Sequence, residues 1–309
     1  MKNRTLLIVL LVLLAAYGLI QLLTEEREAS FRTSLLEVDT SEISKLVIDP
    51  KGKPASFELE RTGRQWIARR GEVEAQVGPD KMDRLFSSIS NLRTQSVAAK
   101  SEDQWPKYEL GEAEAHKVEV YAEGSKQAGL YFGKMDFNQQ QRKATTYARV
   151  EGEPEVYALD GFQTMGLVQG FDNYRNRTVI KMKPGMEVTQ FEYQRPNGAV
   201  SFQRTPEGWQ SGGQMLDSMK VENYLNVLRN LKADAFADAF DPALAAQWPK
   251  EQLQLSGNNI LQPFELTVYR DTSAEQPFIV HSSYNPDAYF RSDSAGLYSK
   301  LFKPVEELR

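Results

Sequence analysis

No cysteine occurs in the 309 residues of this chain. That absence excludes thiolate catalysis, cysteine-based zinc or iron–sulfur sites, a disulfide framework and lipid attachment through a cysteine. Histidine is almost as scarce, with only His116 and His281 present. Cationic side chains show no excess, 37 Lys and Arg against 42 Asp and Glu. The net charge of −5 offers no electrostatic footprint for a phosphate backbone, so no nucleic-acid partner is expected. Phosphate-loop and dinucleotide fingerprints are missing, since Gly161, Gly166 and Gly170 have the wrong spacing and no Gly-Lys-Ser/Thr follows them. A Gly-x-Ser-x-Gly elbow is missing too. Long apolar runs are confined to one place, the first 23 residues.

There, Thr5 to Leu23 carries no charge over nineteen residues. As a helix it would reach about 28 Å at 1.5 Å per residue, close to the hydrocarbon thickness of a bilayer. Lys2 and Arg4 precede it, and Glu25, Glu26 and Glu28 follow. The positive-inside bias then leaves residues 1–4 in the cytoplasm and sends the body across a bacterial inner membrane into the periplasm, as a single-pass protein. The run exceeds the 7–15 residues usual for a cleavable signal, and Ala15-Ala16-Tyr17 is followed by further apolar residues. The expectation is an uncleaved anchor over 5–23 and a charged connector over 24–30.

Beyond the connector the chain repeats itself. Gln104-Trp105-Pro106-Lys107 returns letter for letter as Gln247-Trp248-Pro249-Lys250. Flanking matches come in the same order at nearly the same spacing. Arg32-Thr33 answers to Arg177-Thr178, Ser56-Phe57 to Ser201-Phe202, Trp66 to Trp209, Asn91-Leu92 to Asn230-Leu231, and Tyr147-x-Arg149 to Tyr289-x-Arg291. One module is used twice, over 31–172 and 173–309.

Within each module, short alternating runs separated by turn residues read as antiparallel strands joined by tight turns. In the first, Leu46-Val47-Ile48, Ser56–Glu60 and Gln65–Ala68 are such runs; in the second, Phe191–Tyr193, Val200–Gln203 and the segment at Trp209. A helix follows, with Met82, Leu85, Phe86, Ile89 and Leu92 at helical spacing after Pro79, and Val221, Leu225, Leu228 and Leu231 after Asp217-Ser218. Either Asp217 or Ser218 suits the N-cap. The Trp-Pro element begins a short turn or helix, with proline holding the preceding Trp out of the helical region. Further strands are expected at 118–121, 130–132, 146–149 and 156–158, with counterparts at 266–269, 278–280, 288–291 and 297–298. Residues 161–175 read as a short helical bridge. The fold class is α+β: an N-terminal transmembrane helix followed by two tandem antiparallel-sheet-plus-helix modules.

Candidate site residues each have a plain structural reading. His116 sits among Glu112 and Glu114 without the spacing of a metal motif, and His281 lies in a strand. The two histidines are 165 residues apart (116 to 281) and are not copies of each other. Asp234, Asp238 and Asp241 lack a calcium-loop pattern. Trp66, Trp105, Trp209 and Trp248 each sit at a repeated position, the pattern of core packing, although Trp also fills binding hot spots. Tyr147 with Arg149, and Tyr289 with Arg291, share a strand face, as a sheet-stabilising cation–π pair would. No catalytic, metal-binding or cofactor-binding residue is assigned on this reading, and the residues of any binding site stay open.

The order of anchor, strands, Trp, helix, Trp-Pro-x-Tyr-x-Leu, a strand ending in Gly, Tyr-x-Arg and Val-Tyr resembles the bacterial domain of unknown function 4340 family. In the first module the resemblance rests on Trp66, Trp105, Tyr108, Leu110, Gly133, Tyr147, Arg149, Val156 and Tyr157. In the second it rests on Trp209, Trp248, Leu253, Tyr289, Arg291 and Tyr298, without the strand-end Gly or the Tyr after Trp-Pro. The resemblance implies a membrane-anchored envelope protein whose partners include a gliding-motility-type ABC transport system. The expected function is a non-catalytic accessory or scaffold protein. A tethered module binding a glycan or peptide is the alternative, and a carboxylate-dependent hydrolase ranks behind both.

Overall fold

A computed structural model describes residues 32–52 and 55–308. The expected anchor at 5–23 and the connector at 24–30 lie outside the described residues. Among those described, no helix is long and apolar enough to cross a membrane.

The chain is mostly antiparallel sheet. In order come β1 (Ile43–Asp49), β2 (Phe57–Thr62), β3 (Gln65–Arg70), β4 (Val73–Gln76), helix α1 (Lys81–Ser90), β5 (Thr94–Ala99) and a 3-10 helix (Glu102–Tyr108). Then follow β6 (His116–Ala122), β7 (Ser125–Asn138), β8 (Lys143–Val150), β9 (Val156–Asp160) and the single turns α2 (Gly161–Thr164) and α3 (Phe171–Tyr174). The second half runs β10 (Thr178–Lys181), β11 (Glu187–Arg195), β12 (Gly198–Thr205), β13 (Gly208–Ser211), β14 (Gln214–Met215), α4 (Ser218–Leu228), β15 (Asn230–Lys232) and β16 (Ala235–Phe236). A 3-10 turn (Leu244–Gln247), β17 (Lys250–Asn258), β18 (Phe264–Arg270), β19 (Phe278–Ser282), β20 (Asn285–Ser292) and α5 (Leu297–Glu307) complete it.

The two large sheets have the same strand order. One is β4-β3-β2-β1-β6-β7-β8-β9-β5, the other β14-β13-β12-β11-β17-β18-β19-β20-β16. The likeness extends to the entry of each module. Ser34 bridges Arg93 just after α1, and β10 pairs with β15 just after α4. Two sheet modules of one design therefore stand behind the repeat.

Local chemistry explains the elements. Glu123 and Gly124 both have positive φ, 51° and 76°, the two-residue turn that matches strand twist between Ala122 and Ser125. In α1, Met82, Leu85 and Ile89 are the buried stripe. Asp217 caps α4, its carboxylate accepting from the backbone N–H groups of Met219 and Lys220.

Two compact units divide the described chain: residues through Arg61 with Asp80–Gly170, and Thr62–Pro79 with everything from Phe171. The β3–β4 hairpin thus groups with residues far along the sequence. Val77 bridges Arg175, the Gly78 N–H donates to the Tyr174 carbonyl, and the Asn176 N–H donates to the Gln76 carbonyl. In the second unit Phe191, Phe202, Trp209, Tyr224, Leu255, Leu266 and Phe302 belong to one buried core.

Three local expectations are corrected. Leu297-Tyr298 is the start of helix α5, because Leu297, Leu301, Phe302 and Val305 recur at helical spacing and bury one face. The residues after Trp248 form strand β17, paired with β11 and β18. Trp248 is extended as its proline requires, with ψ 150°, whereas Trp105 lies inside the 3-10 helix together with Pro106.

Candidate functional site

Charged and aromatic residues on one face of the first unit's sheet form the most developed polar arrangement. Lys117 on β6 stands opposite Tyr131 on β7, which stands opposite Arg149 on β8. Paired residues on neighbouring strands share a face. The Arg149 guanidinium lies 3.5 Å from the Tyr131 ring centroid and 3.9 Å from that of Trp105. Its Nε donates to the Leu110 carbonyl at 3.0 Å. Only 3% of Arg149 is exposed, so its charge is held by two π faces and a carbonyl. The Trp105 indole N–H donates in turn to the Pro154 carbonyl at 3.1 Å. Trp105, at the repeated tetrapeptide, is the lid over a buried cation.

Gly133 shows why this lid needs a glycine beneath it. A Cβ there would stand 2.0 Å from the Tyr108 carbonyl oxygen, so only a bare backbone admits the end of the 3-10 helix. Tyr108 then packs, tilted, against Tyr147 at 4.5 Å, and its hydroxyl donates to the Ala98 carbonyl at 3.1 Å. The expected cation–π pairing of Tyr147 with Arg149 is corrected, since Arg149 uses Trp105 and Tyr131.

The next row of the same face is an alternating ion-pair network. Lys117 reaches Glu119 at 2.9 Å and Glu151 at 3.3 Å, and Lys126 reaches Glu119 at 2.8 Å and Glu151 at 2.5 Å. Burial alone would raise the Glu119 pKa. Hydrogen bonds from Lys126, Lys117 and Tyr121 outweigh it and hold the carboxyl at about 2. A cavity of about 710 Å³ adjoins this network, lined by Arg32–Glu37, Lys126–Gly129, Val150 and Glu151.

In the second unit the polar residues are tied up differently. Arg175, 4% exposed, makes a two-pronged bond to Asp238 at 2.9 and 2.6 Å, a third contact to Asp172 at 3.2 Å, and stacks 3.5 Å from Phe236. The Asp238 singled out from the sequence is thus the partner of a buried arginine. Asp241 accepts from the Ala243 N–H in a local turn. Glu251 accepts from the hydroxyls of Tyr193 and Tyr298. Burial, with the Glu251 charge behind it, pushes Tyr298 up to about 12 and Tyr193 well above its usual value.

His116 is half-buried, and its Nδ1 accepts from the Lys51 N–H at 3.1 Å. Burial, with Lys51 beside it, depresses its pKa. His281 stacks on Tyr289 at 4.7 Å and its Nε2 lies 3.0 Å from the Pro286 carbonyl. Among the described residues no group of three His, Asp or Glu side chains could hold a metal ion. Gly161 and Gly166 are packing positions, where a Cβ would meet Ala144 at 2.8 Å and Ser88 Oγ at 2.7 Å. Of the four tryptophans only Trp209 is fully buried; Trp66, Trp105 and Trp248 are half-buried. Of the two interior arginines, the repeat marks Arg149, whereas no sequence pattern marks Arg175, because burial reasoning does not anticipate an interior guanidinium.

The structure defines a class: a duplicated antiparallel-sheet protein whose interior arginines lie against aromatic rings. The family described as domain of unknown function (DUF4340) matches residues 11–103 and 69–249, and the chain belongs to it. No curated protein and no solved structure matches the chain.

Proposed function

We propose that this protein is a non-catalytic accessory or scaffold subunit, anchored in the bacterial inner membrane by residues 5–23 and holding its two modules in the periplasm. Its partner on this reading is a membrane protein of an ABC-type transport system. The observation that supports it is the use to which the charged side chains are put. Arg149 is clamped between Trp105 and Tyr131, Arg175 is bonded to Asp238 and Asp172, and Lys117 and Lys126 are matched by Glu119 and Glu151. Each arrangement consumes charge in holding strands and turns together, as a module built to present surfaces requires.

Complementation of a deletion strain tests this. The double variant His116→Ala, His281→Ala should support growth or transport as wild type does. An exported body lacking residues 1–24 should fold yet fail, because a subunit of a membrane complex must be held at the membrane. Full rescue by the free body, or loss of function from one histidine change in a folded protein, overturns the reading.

A further inference from the structure

Strand β7 has fourteen residues, while β18, at the same place in the second sheet, has seven. The additional length continues as a ribbon along β8, pairing Met135 with Thr146 through Asn138 with Lys143, and its last two pairs, Phe137 with Ala144 and Asn138 with Lys143, lie beyond the end of β9. On its other side β7 is paired with β6 only up to Phe132. Among the described residues no strand pairs with Lys134–Asn138 there. A row of backbone N–H and C=O groups therefore faces outward, a ready template for another strand.

The ribbon's side chains are apolar on one face. Met135 is 42% exposed and Phe137 56%; on the adjoining turn Phe162 is 54% and Met165 46% exposed. Phe137 and Phe162 meet edge to face at 6.3 Å. Residues two apart on a strand, and three apart on a helical turn, share a face, which makes these four one patch. On the opposite face Lys134 and Asp136 lie 3.4 Å apart.

We propose that this edge pairs, antiparallel, with the same edge of a second copy of the chain. The occupant is argued from charge. Antiparallel self-pairing centred on Met135 sets Lys134 of each copy opposite Asp136 of the other, twice over, and opposite charges across strands are favourable. A shift centred on Asp136 would set carboxylate against carboxylate. A bulge after Phe132 and an edge lysine ordinarily discourage strand addition. Here the lysine is matched by an aspartate two residues along the same strand, so it selects the register. Met135, Phe137 and Phe162 of both copies then share one apolar cluster, as expected of a self-complementary two-fold contact. This goes beyond the accessory role and does not depend on which protein the scaffold serves.

The absence of cysteine makes the test clean. Met135→Cys, Phe137→Cys and, as a remote control, Leu261→Cys are placed singly in the full-length chain and oxidised in native membranes. Residues directly opposite in an antiparallel pair have Cα atoms about 4.5–5.5 Å apart, inside disulfide range. Met135→Cys should give most of the reducible dimer on a gel, and Leu261→Cys almost none. In a second arm, Lys134→Glu introduced beside Met135→Cys should cut cross-linking at least severalfold, and adding Asp136→Lys should restore it. A dimer band no stronger than the Leu261→Cys control, a maximum at residue 137, or indifference to the charge exchange overturns the proposal.

Discussion

Replacing Arg149 by lysine keeps the charge and should nevertheless destabilise the first unit more than removing the charge altogether. The guanidinium is planar, with one ring at 3.5 Å, another at 3.9 Å and a carbonyl bonded to its Nε at 3.0 Å. A lysine ammonium is a compact, strongly hydrated point that cannot face two rings and reach Leu110 together. Desolvated cation–π contacts are worth about 2 kcal/mol each, and a charged hydrogen bond about 1.5–3 kcal/mol. Losing one ring contact and the carbonyl bond, with partial recovery as the ammonium moves toward water, gives about 2–4 kcal/mol. Methionine forfeits both interactions but also removes the burden of a buried charge, and it fills similar space between the rings. Its expected cost is about 1–3 kcal/mol, below that of lysine. Urea unfolding of the full chain in non-ionic detergent gives the two numbers, and hydrogen exchange over β8 places the effect in the first unit. A lysine variant within about 0.5 kcal/mol of wild type, the usual range for surface changes, would refute the clamp. So would a lysine variant clearly more stable than the methionine one.

Other outcomes follow from the same geometry. Asp238→Ala strands a buried guanidinium and should cost about 2–4 kcal/mol, below the full value for a buried pair because Asp172 remains and Asp238 is itself 31% exposed; thermal denaturation checks it. Trp209→Ala, which empties a fully buried site bonded to Glu222 at 3.0 Å, should cost about 3–5 kcal/mol. Trp66→Ala, Trp105→Ala and Trp248→Ala should each cost less by the same measurement, since those rings are half-buried. His116 has a folded pKa below its unfolded value of about 6.5. Its neutral form is favoured on folding, so stability is fully present above about pH 6.5 and declines as pH falls through the folded pKa. His116→Gln should flatten stability over that window in pH-dependent unfolding, and an unchanged profile would refute the linkage.

Much of the architecture is legible in the sequence. The period-two strands around Leu46, Phe57, Phe191 and Phe202, the helices around Leu85 and Leu225, and the use of one design twice all follow from patterns that burial imposes directly, although Leu231, in step with the second helix, lies on β15. What escaped was set by contacts distant in sequence. The Thr62–Pro79 hairpin groups with Phe171 and beyond, and nothing in its own residues announces that. Helix α5 opens with Leu297-Tyr298, which has the spelling of the strand residues Val156-Tyr157, while its longer stripe, Leu297, Leu301, Phe302 and Val305, has helical period. The site residues were half legible. The repeat marks both Trp105 and Arg149, but which ring receives the guanidinium depends on strand register, and a tally of letters does not contain register.

That last point bears on how the repeat itself is to be aligned. Tyr147-x-Arg149 matches Tyr289-x-Arg291 in letters and order, yet β8 occupies the sheet position held by β19, and Arg291 lies on β20, the counterpart of β9. Similarly spelled segments can fall on different strands of two like sheets as long as the buried alternation survives, because a sheet constrains which residues face inward far more strictly than which polar residues face out. The second unit illustrates the consequence. It runs directly from Trp248-Pro249 into β17, where the first unit interposes the segment from Tyr108 to Ala115 that carries the carbonyl bonded to Arg149. Without that segment there is no Leu110 carbonyl to receive a guanidinium, and Trp248 instead lies 6.0 Å from Phe240 in an aromatic cluster with Tyr269 and Tyr289. The shared tetrapeptide has thus kept its place beside the central strand of each sheet while its tryptophan has acquired two different jobs. A functional difference between the copies is therefore to be sought in what the first unit alone possesses: the Tyr108–Ala115 segment that caps Arg149, and the projecting ribbon.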